Sequence, residues 1–255
     1  MLTTAVARIQ SPCYYVVDIG ASSGVPSDPV YPYITNPTYS GLCIEGKQEN
    51  ANILLRKLSN KFLVSCKYVT PQNILEIFQS SGVPKSPDIL KIDIDGYDLE
   101  VLRVILTECT PKIIIAEINE KIPPPIEFEV LYRDTYVWDE SHCFGFSIAS
   151  GEKVMKQHGY RIVEVHDLNN ILCVRNDVDI PSVGNNIYEI YEKGYKENHQ
   201  RFTRLPWNSD VDYWLRIKDH QELKSHITTY FTTNNSRSKF STKTKQLGVD
   251  FSISL

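Results

Sequence analysis

Apolar segments that alternate with segments of helical spacing constrain the fold of this chain more than any other feature of its sequence. Five such apolar segments occur in the first half of the chain, at residues 14–19, 41–45, 61–69, 88–92 and 111–119. Because they are apolar at consecutive positions, the strands that they predict would be buried on both faces. Strands of this kind separated by helices are typical of a parallel sheet covered by helices on both sides.

The later part of the sequence predicts the rest of the same sheet. A helix is expected near residues 144–158, and two further strands at residues 160–166 and 170–175. These strands bring the sheet to seven, mostly parallel, so the predicted fold class is α/β and Rossmann-like. Residues 25–40 contain four prolines. They exclude a long regular helix there, because proline removes a backbone hydrogen bond.

The composition changes after residue 178. We expect residues 1–178 to form the α/β domain, residues 179–234 to form a helical C-terminal appendage, and residues 235–255 to form a flexible tail. Residues 209–231 of the appendage have the spacing of one amphipathic helix. The tail is polar and poor in aliphatic residues, which is typical of segments that do not bury a core.

Charge, hydropathy and cysteine spacing disfavour several classes of protein. The net charge is −4, so the chain as a whole does not attract nucleic acid. No apolar run of the sequence approaches the roughly 18–20 residues that span a bilayer, and the first residues lack the pattern of a secretory signal. The six cysteines are scattered without a CxxC pair, which disfavours a zinc site and a disulfide framework. We expect a cytoplasmic protein that uses no membrane and for which an oligomer is possible.

Polar side chains follow the predicted strands at the points where the strands end. They are Asp18, Glu45, Asp93, Asp95, Glu117 and Asn119. In an open parallel sheet, ligands bind outside the carboxyl ends of the strands, near the point where the strand order reverses. Buried carboxylates without partners are costly, so this group needs polar or cationic company. One such acid alone would be a helix cap or a solvated turn, whereas the grouping predicts a site.

The glycine-containing loop after the first strand, residues 18–24, indicates the charge of the ligand. Glycine in such a turn lets the backbone come close to a ligand. Asp18 in this loop would repel a pyrophosphate, so it favours a cationic ligand such as an amino group or a sulfonium. Glu45 ends the second strand about 21 residues after the loop, where a carboxylate holds a ribose diol in nucleotide-binding folds.

Several segments resemble class I methyltransferases that use S-adenosyl-L-methionine (SAM), and more narrowly the FkbM-type family. VVDIGASSG resembles the first motif of that family. LKIDIDGYDLEVL is similar to its lysine-isoleucine-aspartate-x-glutamate-glycine segment, with Asp95 where glutamate is commoner. VTPQNILEIF, IIIAEIN and YVWDESHCFGFSI also match in order. The resemblance covers residues 14–176, and the proline-rich segment departs from the regular first helix of the family.

The resemblance implies that SAM is the cofactor and assigns residues to it. These residues are Asp18, Gly20, Ala21, Gly24, Glu45 and Thr70. The first four would shape the cofactor loop, the glutamate would hold the ribose hydroxyls, and the threonine would meet the adenine edge. Thr70 also suits the N-cap of the helix that follows, with Pro71 in its first turn.

Methyl transfer to a hydroxyl needs a group that takes or weakens the hydroxyl proton. Asp93 and Asp95 are candidate catalytic residues, and so is His142 in the long loop after the fifth strand, because histidine titrates near neutral pH. Asp93, Glu117 and Asn119 offer the oxygen ligands that Mg²⁺ prefers, so Mg²⁺ is a candidate second cofactor. The plain alternatives are a helix cap for Asp93 and a surface position for His142.

The resemblance favours O-methyl transfer to a hydroxyl of a sugar, glycan or related small molecule. Two alternatives stay open: a catalytically silent SAM-fold module used in binding or assembly, and a methyltransferase of RNA ribose or cap hydroxyls. The acidic chain disfavours RNA, and the strand ends do not show the Lys-Asp-Lys-Glu tetrad of ribose methyltransferases. A nicotinamide oxidoreductase is disfavoured, since DIGASSG supplies neither GxGxxG nor the short-chain pattern.

Overall fold

The apolar segments of the sequence form strands in the computed structural model, which describes residues 1–233 and 249–255. The strands are β1 (Tyr15–Ile19), β2 (Ser40–Glu45), β3 (Phe62–Cys66), β4 (Ile89–Ile92), β5 (Ile113–Glu117), β6 (Glu127–Val130), β7 (Tyr160–His166), β8 (Asn170–Arg175) and β9 (Phe251–Ser254). Seven of them form one sheet in the order β3-β2-β1-β4-β5-β8-β7, and β6 pairs with β9 in a second sheet. The predicted seven-stranded sheet is therefore confirmed.

The sheet is mostly parallel. The β1–β2, β1–β4, β2–β3 and β4–β5 pairs are all parallel. At the next pair, the Ile118 N–H donates to the Asn169 carbonyl and the Arg175 N–H donates to the Lys112 carbonyl. Residue numbers thus rise along β5 while they fall along β8, so β8 is antiparallel to β5. The strand order reverses at β1, which lies between β2 and β4.

The central strands are covered on both faces. Successive strand residues point to opposite faces of a sheet, and every residue of β4 and β5 is buried. This burial explains why the strands are apolar at consecutive positions. Leaving one of their aliphatic side chains exposed would lose roughly 1.5–3 kcal/mol of burial free energy.

Helices separate most of the strands. They are α1 (Leu2–Ala7), α2 (Tyr31–Ile34), α3 (Gln48–Lys57), α4 (Ile74–Ser80), α5 (Asp98–Glu108), α6 (Ile148–Gln157), α7 (Ile187–Tyr191), α8 (Arg201–Arg204) and α9 (His220–Thr232). A π-helical turn, Glu192–Lys196, follows α7, and two 3₁₀ helices, Pro206–Asp210 and Asp212–Arg216, precede α9. The proline-rich segment after β1 forms only the four-residue α2, as its prolines predict.

The C-terminal region differs from the sequence prediction in its helices. Residues 209–231 were expected to form one helix, but α9 begins only at His220. Ile217 is extended and ends the preceding 3₁₀ helix. Asp219 then caps α9 by accepting hydrogen bonds from the N–H groups of Gln221 and Glu222. A side-chain cap of this kind fixes a helix start, because it satisfies N–H groups that have no partner within the helix.

The last residues of the chain include a strand. Residues 235–248 of the expected flexible tail lie outside the described residues. Phe251–Ser254 forms β9, which pairs antiparallel with β6 from Phe251 opposite Val130 to Ser254 opposite Glu127. The prediction of a flexible tail does not anticipate this strand.

The chain divides into two compact units that are interleaved along the sequence. The first unit contains Met1–Ile94, Glu100–Ala116 and Val174–Ile180, and the second contains Asp95–Leu99, Glu117–Cys173 and the chain from Pro181 onwards. The expected domain boundary at residue 178 stays a prediction. Within residues 1–233 and 249–255, no helix combines the length and the hydropathy that a membrane crossing requires.

Candidate active site

A buried lysine organises the carboxyl ends of β1 and β4 in the first unit. Lys91 of β4 stands directly opposite Asp18 of β1 in the parallel register. Its Nζ lies 3.1 Å from Asp28 Oδ2, 3.4 Å from Asp93 Oδ2 and 3.5 Å from Asp18 Oδ1. Three carboxylates therefore surround one ammonium, at the point where the strand order reverses and where such sheets bind ligands.

Burial decides the protonation of this cluster. Asp18 is fully buried, and neither of its carboxylate oxygens has a hydrogen-bond donor among the described residues. Burial raises the pKa of Asp18 to about 7, although Lys91 opposes the shift. Burial by itself lowers the pKa of Lys91, but the three carboxylates outweigh it and hold that pKa well above its usual range. With the lysine charged, the cluster stays negative even when Asp18 carries a proton.

The same lysine holds the glycine-containing loop. Lys91 Nζ donates a hydrogen bond of 3.1 Å to the Gly20 carbonyl. Gly20 has a φ of +79°, and a Cβ added there would lie 1.7 Å from the Asp93 carbonyl oxygen, so no other residue fits. The Gly20 and Ala21 N–H groups both donate to the Ile44 carbonyl. The glycine thus allows close approach of two backbone segments of the protein.

The remaining residues assigned to the cofactor lie on the first unit. Ala21 is fully buried, and Gly24 has a φ of +62°. Glu45 is the last residue of β2, is 7% exposed, and accepts a 2.7 Å hydrogen bond from the Lys47 N–H through Oε1. It does not belong to the Lys91 cluster. Its place at a strand end is the one expected for a ribose-binding carboxylate, and that role stays a prediction.

Thr70 lies one turn before α4. Its Oγ1 accepts a hydrogen bond from the Asn73 N–H, and the Asn73 side chain accepts one from the Thr70 N–H. This reciprocal pair resembles a capping box, since each residue satisfies the backbone N–H of the other. Asn73, not Thr70, directly precedes the helix. The structure thus gives the Thr70 hydroxyl a local structural partner, and its contact with adenine stays a prediction.

Three of the polar residues predicted at the strand ends belong to the second unit. One carboxylate oxygen of Asp95 lies within 4.8 Å of one of Glu117. Glu117 Oε1 also accepts a 2.9 Å hydrogen bond from Asn169 Nδ2. Asn119 is fully buried, and its Nδ2 donates to the carbonyls of His142 and Phe144. The Asn119 side chain therefore fixes the long loop after β5.

His142 is buried within the second unit, not exposed in its loop. Its side chain is 1% exposed, and its Nε2 lies 2.9 Å from Asp210 Oδ1. Burial lowers the pKa of His142 although the hydrogen bond to Asp210 opposes the shift, and the nearby Lys121 lowers it further. In this structure the imidazole is closed off from solvent and packs against Asp210, and its catalytic role stays a prediction.

Sequence reasoning missed Lys91 and Asp28. The grouping of acids at the strand ends predicts a cationic partner, and in the structure Lys91 is that partner. The available signal was a lysine inside the otherwise apolar stretch ILKI. This strand is buried at every position, so the ammonium of the lysine needs carboxylate or carbonyl partners. Asp28 gave no such signal, because it lies among the prolines of an irregular segment.

Comparison with known proteins found a family model and several solved structures that are similar to this chain. The model of the methyltransferase FkbM domain matches residues 28–162. The mitomycin 7-O-methyltransferase MmcR is 16% identical with a TM-score of 0.38, over 68% of this chain and 53% of that chain. A SAM-dependent methyltransferase from Thiobacillus denitrificans, in complex with S-adenosyl-L-homocysteine, is 14% identical with a TM-score of 0.36, over 92% of this chain and 85% of that chain. No curated protein matches the chain.

The family match spans more than half of the chain and includes β2 to β5 with Asp28, Lys91 and Asp93, whereas Asp18 and the glycine-containing loop precede it. The protein therefore belongs to the FkbM methyltransferase family, the class I SAM-dependent methyltransferases that its strand-end motifs resemble.

Proposed function

We propose that this protein transfers the methyl group of SAM to a hydroxyl of a sugar, glycan or related small molecule. The observation that carries the proposal is the negative cluster at the carboxyl ends of β1 and β4. Its one partly open member is Asp93, whose side chain is 32% exposed, while Lys91 and Asp18 are buried. SAM carries a sulfonium and an ammonium, and a carboxylate-rich strand edge complements both charges.

The residues of the first unit fit this cofactor in distinct roles. Lys91 and Asp18 are buried positioning residues: Lys91 donates to the Gly20 carbonyl and so holds the loop, and Asp18 lies opposite Lys91 in the sheet. Asp93 is the carboxylate that can face the ammonium or the reacting hydroxyl. Glu45 would hold the ribose diol, and the loop from Gly20 to Gly24 would border the cofactor.

The chemistry is an in-line displacement. Bound SAM supplies an electrophilic methyl group, whose bond to sulfur breaks as the bond to the hydroxyl oxygen forms. The hydroxyl proton has to leave, and Asp93 or Asp95 would accept it. A positioned base contributes roughly 10²–10⁴-fold to such a step. His142 is left out of this role because it is buried against Asp210.

A divalent cation is a second route for the same proton, since a metal lowers the pKa of a bound hydroxyl. Asp93, Glu117 and Asn119 are the proposed ligands for Mg²⁺. Carboxylate oxygens are the ligands this ion prefers, and a carboxylate oxygen of Asp95 lies within 4.8 Å of one of Glu117, so a further carboxylate is close to the proposed ligands. The Asn119 amide would have to offer its Oδ1, because its Nδ2 is bound to the loop.

The first experiment is a calorimetric titration of the full-length protein with SAM in excess EDTA, repeated with Mg²⁺. We expect saturable binding in the micromolar range. Glu45→Gln should weaken it by about tenfold or more, because a charge-assisted hydrogen bond contributes about 1.5–3 kcal/mol. Asp179→Asn, which changes an exposed aspartate of the same unit, is the matched control. Flat titrations under both conditions would support the silent-module alternative instead.

The acceptor is tested by following S-adenosyl-L-homocysteine release with neutral sugars, oligosaccharides and an RNA oligonucleotide. Turnover with a sugar that falls by at least 100-fold in Asp93→Asn, while SAM still binds, supports the proposed mechanism. Turnover with RNA alone would overturn the acceptor class. Activity lost in EDTA and restored by Mg²⁺ selects the metal route over the simple base.

A further inference from the structure

The second unit contains a cavity that the methyl-transfer chemistry does not use. It encloses about 520 Å³, within the range of small-molecule sites. Its floor consists of buried side chains of Tyr191, Trp214 and Leu223, and Pro123 and Tyr188 add apolar surface at its wall and rim. Tyr188 lines the cavity and is 48% exposed, so its ring is accessible to a ligand.

The charged residues that line this cavity are mostly cations. They are Lys196, Arg216, Lys218 and Glu192, and His220 lines it as well. Lys196 Nζ lies 3.1 Å from Glu192 Oε1, so those two charges compensate each other. Arg216 and Lys218 have no ion-pair partner in the described part of the chain. The lining therefore carries a net charge of +2 with histidine neutral, although the whole chain carries −4.

These cations, and not the adjoining helix, make the cavity attractive to an anion. The first turn of α9 reaches the lining at His220, but Asp219 already caps its N–H groups and adds a negative charge beside them. The donors left for a ligand are the Arg216 guanidinium and the Lys218 ammonium. An arginine fork matches the oxygens of a phosphate or carboxylate in a bidentate manner, and a lysine adds a point charge.

The same lining includes a buried hydrogen-bond donor that has no partner within residues 1–233 and 249–255. The indole Nε1 of Trp214 is buried and has no hydrogen-bond acceptor among the described residues. A buried donor without a partner costs about 1–3 kcal/mol. Trp214 lines the cavity. A polar ligand there would bring oxygen acceptors near this indole, whose N–H has none among the described residues.

We propose that this cavity binds an anionic sugar, a ring that carries a phosphate or a carboxylate. The anion would be held by Arg216 and Lys218, and the ring would pack against Tyr188 and Pro123. The volume is too large for an inorganic ion alone, and the combination of an exposed aromatic face with polar donors is suited to a sugar ring. The cavity uses none of the strand-end acids, so this inference does not depend on the proposed methyl transfer.

Calorimetric titration of the full-length protein tests the proposal with four probes. They are glucose 6-phosphate, glucuronate, neutral glucose and inorganic phosphate. We expect glucose 6-phosphate or glucuronate to bind at least tenfold more tightly than both glucose and phosphate, and the better of the two identifies the anionic group. Binding should weaken when salt is raised from 0.05 to 0.3 M, since exposed charges are screened.

Variants separate the charges from the ring contact. The double variant Arg216→Gln/Lys218→Gln should weaken binding of the anionic sugar at least tenfold. The matched control Arg56→Gln/Lys85→Gln removes the same charge from exposed positions of the first unit and should leave binding unchanged. Tyr188→Ala should weaken the anionic sugar several-fold and leave inorganic phosphate unaffected. All five side chains are exposed, so thermal unfolding should stay close to that of the wild type.

Three results would overturn the proposal. The first is failure of both anionic sugars to saturate the protein at millimolar concentration. The second is equal binding to the wild type and to Arg216→Gln/Lys218→Gln. The third is inorganic phosphate binding as tightly as glucose 6-phosphate, which would reduce the cavity to a simple anion site without recognition of the ring.

Discussion

Replacement of Lys91 by methionine is the sharpest test of the strand-end cluster. The change keeps the length and the apolar stem of the side chain but removes the ammonium that three carboxylates share. Removing one partner of a buried ion pair usually costs about 3–5 kcal/mol, because the other charge is left uncompensated. Asp93 is partly exposed and can be hydrated, so the cost comes mainly from Asp18 and Asp28, whose side chains are buried.

The cost should depend on pH. With the lysine in place, the pKa of Asp18 is already raised to about 7. Without the ammonium that opposes this shift, the pKa rises further, so Asp18 holds its proton at pH 5.5 and is forced toward the charged form only at high pH. We therefore expect Lys91→Met to lose more stability at pH 8.5 than at pH 5.5.

Urea unfolding at both pH values measures this difference. At pH 8.5 we expect a loss of about 3–5 kcal/mol, equivalent to a fall of roughly 10 °C in Tm for a chain of this size. Lys85→Met, at an exposed position, is the control and should stay within about 0.5 kcal/mol of the wild type. Adding Asp18→Asn to Lys91→Met should restore part of the loss, because it removes a stranded carboxylate.

Two results would refute this reasoning. A loss below about 1 kcal/mol at pH 8.5 would mean that the buried charges do not depend on the lysine. A loss of the same size at both pH values would mean that the charge of Asp18 does not account for the effect.

Three further predictions follow from the same geometry. Gly20→Ala should cost more than about 3 kcal/mol of stability, because its Cβ would lie 1.7 Å from the Asp93 carbonyl oxygen. The control Gly82→Ala also has a positive φ but open space around it, and it should cost about 1 kcal/mol. Similar melting temperatures for the two variants would contradict this prediction. Asp18→Asn should flatten the pH dependence of stability. The pKa of Asp18 is raised from its ordinary value of 3.8 to about 7, so the wild type loses roughly 4 kcal/mol of stability as pH rises through this range. Urea unfolding at pH 5 and pH 8 measures how much of this slope the variant loses. His142 acts in the opposite sense, because its pKa is lowered: the stability it contributes is present above its ordinary pKa of 6.5 and is lost as pH falls. The fall in Tm at acid pH should therefore be smaller in His142→Gln than in the wild type. An unchanged pH profile of Tm would contradict the buried, neutral state of His142.

The sheet was predictable because its signal is local. Each central strand is a short apolar run, and the alternation with helices is enough to predict parallel pairing. The seven strands of the main sheet were found this way. The β6–β9 pair was not, because β6 is a four-residue segment and its partner lies more than a hundred residues later. Pairing at that separation leaves no pattern in either segment.

The candidate site was predictable only in its positions. The glycine loop and the strand-end acids follow from where the strands end. Their partners do not, because the register that sets Lys91 opposite Asp18 is decided by the whole sheet. The burial of His142 was hidden for a similar reason, since its partner Asp210 comes from the C-terminal region, 68 residues away.

The late position of β9 has a consequence for how the protein is made. Val130 leaves the ribosome about 120 residues before its partner Phe251, and at about 5–20 residues per second this delay lasts roughly 6–24 s. Throughout that time β6 presents the unpaired edge of a strand whose inward residues, Phe128 and Val130, are apolar. Such an edge is a template for pairing with another chain. Nascent chains on neighbouring ribosomes can therefore associate through this strand until β9 has been made and pairs with it.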